Sequence, residues 1–233
     1  MFNFIDVEQN SDEWFGLRAG RLTSSKLGVV MASPRDFIIC EMAKNDYAII
    51  NLSTKKPIKG RYQDKFSAEI ALETIKKSDL TKAFGAPAKQ YAVNIAIEQI
   101  TGEPIPSTFT NAHMERGHEQ EPIARELYEN DTFSDVTNGG FFDCGFVGCS
   151  PDGMVGDDGV IEIKSVIASV QFANVKRGSV DPAYYWQCVG NLKFTERKWL
   201  DFISYSSEFP VDRQLFVHRI HAVDLAAEFE KID

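Results

Sequence analysis

Apolar residues return along this chain at two different periods, and the change from one to the other divides it. A spacing of three to four residues, which stacks side chains on one face of a helix, holds first. Residues 12–17 (Asp-Glu-Trp-Phe-Gly-Leu) predict a short helix after the N-cap candidate Ser11, and Ser24 to Met31 predict a second. Asp36 to Ile50 has helical spacing too, as do roughly 64–77 and 87–101. In the last of these Ala92, Ile95, Ala96 and Gln99 keep step, and Gly102 is a natural C-cap. Asn111 to Glu129 predicts a long helix with Met114, Ile123, Leu127 and Tyr128 near one stripe, which Pro122 either kinks or begins. Ala168 to Arg177, Pro182 to Phe194 and Leu225 to Ile232 complete the helical set.

The two-residue period of a strand takes over in Val136 to Phe142, Phe146 to Cys149, Ile161 to Lys164, 198–206 and Leu215 to His221. Helices come first, then a mixed sheet with helices packed on it. The expected fold class is therefore α+β, an α/β core with an N-terminal helical portion. In Ile161-Glu162-Ile163-Lys164 the alternation sets Glu162 and Lys164 on one face and buries the two isoleucines on the other. A hairpin turn through Gly156-Asp157-Asp158-Gly159 returns Asp152, from Ser150-Pro151-Asp152-Gly153, to the side of Glu162.

Length adds that the 233 residues suit a single domain, 1–233, in which the poorly legible stretch 36–110 is a helical insertion or elaboration. A hydrophobic share of 43% is enough for a substantial core, and no run of about 18 apolar residues predicts a membrane span. The start, Met1-Phe-Asn-Phe-Ile-Asp, has neither a basic region nor an apolar signal core, so a cytoplasmic location is expected. Cys40, Cys144, Cys149 and Cys188 form no CxxC pair and read as reduced thiols. His113, His118, His218 and His221 read as surface or helix-cap residues, with His118 one helical turn from Glu121.

The net charge of −9 speaks against a general nucleic-acid coat. It leaves room for an enzyme with a local basic groove and an acidic metal site. The stretch 53–65, with five Lys or Arg against one Asp, reads either as a loop touching phosphates or as a solvated surface loop.

Asp152, Glu162 and Lys164 together are a patch for chemistry. Two carboxylates suit Mg²⁺, which takes oxygen ligands and keeps several waters, and the carbonyl of Ile163 is a further ligand candidate. A cation there lowers the pKa of a water and stabilises charge on a phosphate, the two tasks of phosphodiester hydrolysis. Lys164 reads as orienting that water, since acting as a base demands a pKa far below about 10.4. The plain alternative is a turn aspartate beside an exposed strand salt bridge. Upstream, Arg18-Ala-Gly-Arg-Leu-Thr-Ser-Ser25 leads into a helix, with hydroxyls and a bidentate donor that suit an anion. From those residues alone, an ordinary cap with Arg18 in a surface salt bridge is the stronger reading.

Several motifs in order lift the balance: Trp14-Phe-Gly-Leu-Arg18 through Ser25, Gly117-His-Glu-Gln-Glu121-Pro-Ile-Ala-Arg-Glu-Leu-Tyr, Cys149-Ser-Pro-Asp152-Gly, Glu162-Ile-Lys164, and Tyr185-Trp-Gln187 followed by Thr195-Glu-Arg-Lys. Over about residues 11–30 and 113–206 the chain resembles the phage lambda exonuclease (YqaJ-type viral recombinase) family of the PD-(D/E)xK nuclease superfamily. The resemblance implies a restriction-endonuclease-like mixed sheet flanked by helices. It implies Glu121 as a third metal carboxylate with Asp152 and Glu162, Lys164 as the catalytic lysine, and a pocket for a 5′-terminal phosphate made by Arg18, Ser25, Ser150 and Gln187. It further implies 5′-to-3′ digestion of one strand at double-stranded DNA ends with Mg²⁺, Mn²⁺ as a substitute, a homotrimer ring, and a single-strand annealing protein as partner in phage-type recombination inside a bacterial host. The stretch between Arg18 and Glu121 is longer, and the tail after Tyr205 shorter, than in lambda exonuclease. A PD-(D/E)xK endonuclease of restriction or repair type is the other enzyme reading, and a non-catalytic DNA-end module the reading from another class.

Overall fold

The computed structural model describes residues 2–31, 37–51, 56–58, 60–77, 84–105 and 112–233. In chain order the elements are β1 (Asn3–Ile5), α1 (Asp12–Arg18), β2 (Leu22–Thr23), α2 (Ser24–Met31), β3 (Phe37–Ala43), β4 (Asp46–Asn51) and β5 (Lys56–Pro57). Then follow α3 (Lys65–Lys77), α4 (Ala86–Thr101), α5 (Ala112–Thr132), β6 (Val136–Thr137), β7 (Phe141–Cys144), β8 (Val147–Cys149), β9 (Gly153–Val155) and β10 (Gly159–Ser165). The chain ends with α6 (Ala168–Arg177), α7 (Tyr185–Thr195), β11 (Trp199–Tyr205), β12 (Leu215–His221) and α8 (Ala226–Ile232). The fold is α+β, as the order of periods predicts. Two compact units share it, Met1–Gly28 with Ile95–Asp233, and Val29–Asn94.

The larger unit is built on a five-stranded sheet of order β12-β11-β10-β9-β6. Its centre is the parallel pair β10 and β11, in register from Gly159 opposite Trp199 to Ser165 opposite Tyr205, and the remaining pairings are antiparallel. On one face Ile161, Ile163, Ile203 and Tyr205 pack on Ala124 and Tyr128 of α5. On the other, Val160, Leu200 and Phe202 pack on Cys188, Val189 and Leu192 of α7 and on Leu225. Parallel strands covered on both faces must be buried throughout, and Gly159 to Ile163 are. Glu162 is fully buried, which rules out the plain alternative of an exposed strand salt bridge.

A four-stranded sheet, β1-β7-β8-β2, forms the second layer of this unit. Val136 to Phe142 was expected as one strand, but it splits between the two sheets. The break is at Gly139 and Gly140. A Cβ on Gly139 would lie 1.7 Å from the carbonyl oxygen of Pro151, and Gly140 has φ +49°, a left-handed backbone that glycine adopts without steric cost. Helix α1 starts as read: Ser11 accepts from the Trp14 N–H at 3.2 Å. Helix α5 continues through Pro122 rather than beginning there.

In the smaller unit the order is β3-β4-β5, with α3 packed on β3 and β4 around Ala48, Ile49 and Ala68. Residues 37–50 are thus a hairpin and not the expected helix. Runs such as Phe37-Ile38-Ile39 and Ile49-Ile50 favour a pleated strand. Asn45, at φ +58°, supplies the left-handed turn position. Of the basic stretch 53–65, residues 53–55 and 59 lie outside the described residues, while Lys56–Pro57 pairs with Ile50 and Asn51. All four cysteines are free. Among the described residues no helix is long and apolar enough to cross a membrane.

Candidate active site

The turn Ser150-Pro151-Asp152 joins two clusters of polar side chains. It is fixed from both sides: Gln9 donates to the Pro151 carbonyl at 2.8 Å, and Arg125 of α5 donates to the Asp152 carbonyl. Hairpin pairing of β9 with β10 then brings Asp152 back beside β10, where its Oδ2 accepts from the Ile163 N–H at 2.6 Å. The predicted Gly156–Gly159 turn is what makes this return possible.

On the first side stand Arg18, Ser25 and Ser150. Arg18, at the end of α1, donates to Ser150 Oγ at 3.3 Å and to Ser25 Oγ at 3.1 Å, and its guanidinium lies 4.0 Å from the centroid of the Trp14 ring. The Trp14 indole N–H also reaches Ser150 Oγ, at 2.9 Å. The loop between α1 and β2 holds this arrangement through Gly20, at φ +71°, whose N–H donates to Glu98 and whose carbonyl accepts from Gln99. A planar cation over an indole, with two hydroxyls at its fork, is a ready anion cradle.

On the second side a cavity of about 670 Å³ is lined by Glu121, Asp152, Ile163, Lys164, Gln187 and His118, among others. Glu121 comes from α5 and lies 3.8 Å from Arg125. Glu162 and Lys164 share a strand face and are in direct ion contact. The glutamate has two further donors, Gln187 Nε2 at 2.5 Å on Oε1 and Asn191 Nδ2 at 2.7 Å on Oε2. Both amides come from α7, four residues apart and so on one helix face.

Burial sets the electrostatics here. It pushes Glu162 up to about 7, with Asp152 as the next cause, despite the Lys164 ammonium beside it. Burial likewise raises Glu121 to about 7, again with Asp152 adding repulsion, and it raises Asp152. Burial works against the Lys164 charge, but Glu162 and Asp152 together hold the ammonium charged well above the ordinary lysine range. Three acids that resist ionising together are short of positive charge. That is the electrostatic condition a divalent cation relieves. Among the described residues no three acidic, His or Cys side chains converge into a ready-made metal cage. Mg²⁺ needs only one or two carboxylates and waters, so this donor set fits it.

The candidate metal, lysine and phosphate-pocket residues each fall on one of the two sides. Arg18, Ser25 and Ser150 are brought together, whereas Gln187 is bonded to Glu162 across the turn. Asn191, Arg125 and Trp14 were not read as site residues. Asn191 had a signal, its i+4 spacing from Gln187, while the reach of Arg125 to the Asp152 carbonyl depends on the docking of α5.

The sequence model of the YqaJ-like viral recombinase domain matches residues 69–198, more than half of the chain. No curated protein sequence matches it. Among solved structures, an alkaline exonuclease (LHK-Exo) from Laribacter hongkongensis superposes with TM-score 0.65 at 28% identity, covering 95% of this chain and 88% of its own. The structure of LHK-Exo in complex with dAMP gives TM-score 0.66 at 29% identity over the same shares, 95% and 88%. A phage related exonuclease from Haemophilus somnus 129PT shares the fold, with TM-score 0.52 at 14% identity over 91% of this chain and 89% of its own. With its two-sided turn, its covered parallel pair and this match, the chain belongs to the YqaJ-like viral recombinase family.

Proposed function

We propose that this chain, a DNA exonuclease of the phage-recombination type, uses Mg²⁺, with Mn²⁺ as a substitute, to digest one strand of linear duplex DNA 5′-to-3′ from phosphorylated ends. One observation carries the reading: a three-residue turn has Ser150 in the arginine–serine cradle and Asp152 in the carboxylate cavity. A terminal phosphate held in the cradle has its neighbouring phosphodiester directed toward the carboxylates. That supports cutting from the 5′ end rather than at random positions.

In this reading Glu121, Asp152, Glu162 and the Ile163 carbonyl hold the cation. When bound, it supplies a lowered water pKa and neutralises charge at the scissile phosphate. Lys164, held charged by its acidic neighbours, orients the attacking water and donates to phosphate oxygen instead of taking a proton. Arg18, with a planar fork, grips the terminal phosphate, and the hydroxyls of Ser25 and Ser150 complete the cradle. Gln187 gives one amide hydrogen to Glu162 and has a second for the phosphate. The cavity volume also accords with a nucleotide, and the Laribacter neighbour is described in complex with dAMP. The resemblance extends the proposal to a homotrimer ring in the cytoplasm of a bacterial host, working with a single-strand annealing protein. Residues 36–110 are then an elaboration of one nuclease domain spanning 1–233.

End-labelled linear duplex incubated with Mg²⁺ tests this. Mononucleotides should leave the 5′ end, faster from 5′-phosphate than from 5′-hydroxyl ends, and the difference should shrink in Arg18→Ala. Lys164→Ala and Asp152→Ala should abolish release while ends still bind. Equal rates on both ends would remove the phosphate cradle, and cutting of covalently closed circles would favour an endonuclease.

A further inference from the structure

Glu162 has a fixed orientation, and most of what fixes it is not ionic. Lys164 and Gln187 both contact Oε1. Oε2 is held by Asn191, 2.7 Å away, a residue as completely buried as the glutamate. An amide can turn over and offer its oxygen instead of its nitrogen. Here Ser24, in the first turn of α2, donates its hydroxyl to Asn191 Oδ1 at 2.5 Å. Once ionised, as metal binding requires, a carboxylate only accepts, so the bond from Ser24 fixes the amide with its N–H groups toward Glu162.

The close approach that lets Ser24 reach has its own sequence requirement. Gly190, next to Asn191, faces the same turn. A Cβ at Gly190 would lie 2.4 Å from Leu27 Cδ1 and 2.9 Å from Ser24 Cβ. A glycine followed by an asparagine on α7 thus forms a notch and a hook for α2. Ser24 also precedes Ser25, which belongs to the arginine–serine cradle.

We infer that Asn191, clamped by Ser24 through the gap at Gly190, is a positioning residue that sets Glu162 for the divalent cation. This rests on the metal site of the proposed function. Groups that orient metal ligands from behind typically change metal affinity by about 10- to 100-fold when removed, and Asn191 stands in that relation to Glu162. Ser24 acts only through Asn191, so its loss weakens binding less, and adds nothing once Asn191 is gone.

The experiment is calorimetric titration of the full chain with Mn²⁺, without DNA, alongside thermal melting of each metal-free protein. The native chain should bind, and Asp152→Ala should not. Asn191→Ala should weaken binding about 10-fold or more, Ser24→Ala by less, and the double variant should match Asn191→Ala alone. Ser24→Ala removes one hydroxyl and keeps the test open if Asn191→Ala does not fold. A purely structural role would lower melting temperatures and leave the affinities of the folded proteins unchanged, which would overturn the inference, as would effects of the two substitutions that simply add. Undiminished Mn²⁺ binding in Asp152→Ala would take down the metal site itself, and the inference with it.

Discussion

A carboxylate that is hard to ionise makes the protein without metal pay for every rise in pH. Glu162 is pushed from an ordinary 4.5 up to about 7 by burial and by Asp152. Between those two values the native chain holds a proton that the unfolded chain has already released. The unfolded state binds fewer protons, so stability falls as pH rises through this window and levels off above it. Each pH unit of displacement is worth about 1.4 kcal/mol, so the loss between pH 4.5 and 8 approaches about 3 kcal/mol. Glu162→Gln isolates the effect. The glutamine cannot titrate, and its amide nitrogen faces donors, which costs a fixed amount at all pH values. Urea unfolding of the two metal-free proteins at several pH values should therefore give curves that draw together, then cross or approach, as pH rises. The difference should shift in favour of the variant by up to about 3 kcal/mol. Mg²⁺ should restore the native protein more at pH 8 than at pH 6, because metal binding needs the ionised form. Parallel curves from pH 5 to 8 would refute the account of a strained acid.

Two other substitutions probe the frame of the site. Tyr128, fully buried, donates to Asp201 at 2.7 Å; Tyr128→Phe should cost about 1.5–3 kcal/mol in urea unfolding, the range for a bond to a charged group, with cleavage per folded molecule unchanged. Gly139→Ala places a Cβ on the Pro151 carbonyl; it should destabilise by about 1–3 kcal/mol and, unlike Tyr128→Phe, also lower nuclease activity measured on the folded fraction, because the Ser150–Asp152 turn is displaced.

Local chemistry made much of this readable in advance. The cap at Ser11, the turn before Gly159 and the Glu162–Lys164 pair depend on neighbours in sequence, and each is present. What failed depends on pairing or docking that apolar spacing alone does not reveal. Phe37 to Ile50 has apolar spacing compatible with a helix, and only pairing across Asn45 makes it a hairpin. The complete burial of Glu162 follows from α7 covering a face that alternation marks as polar. Gln187 and Asn191 look like ordinary helix polar residues until that helix docks with both amides on one carboxylate.

The parallel pairing of β10 with β11 has a consequence for when the enzyme can act. Parallel neighbours need a long crossover, here residues 166–198 with α6 and α7 inside it. Contacts so far apart in sequence form slowly, because loop entropy is lost before they reward it. A ribosome therefore releases Asp152, Glu162 and Lys164 well before the strand and helix that bury and orient them. These three residues are made early, but the candidate site is complete only after α7 and β11 have emerged.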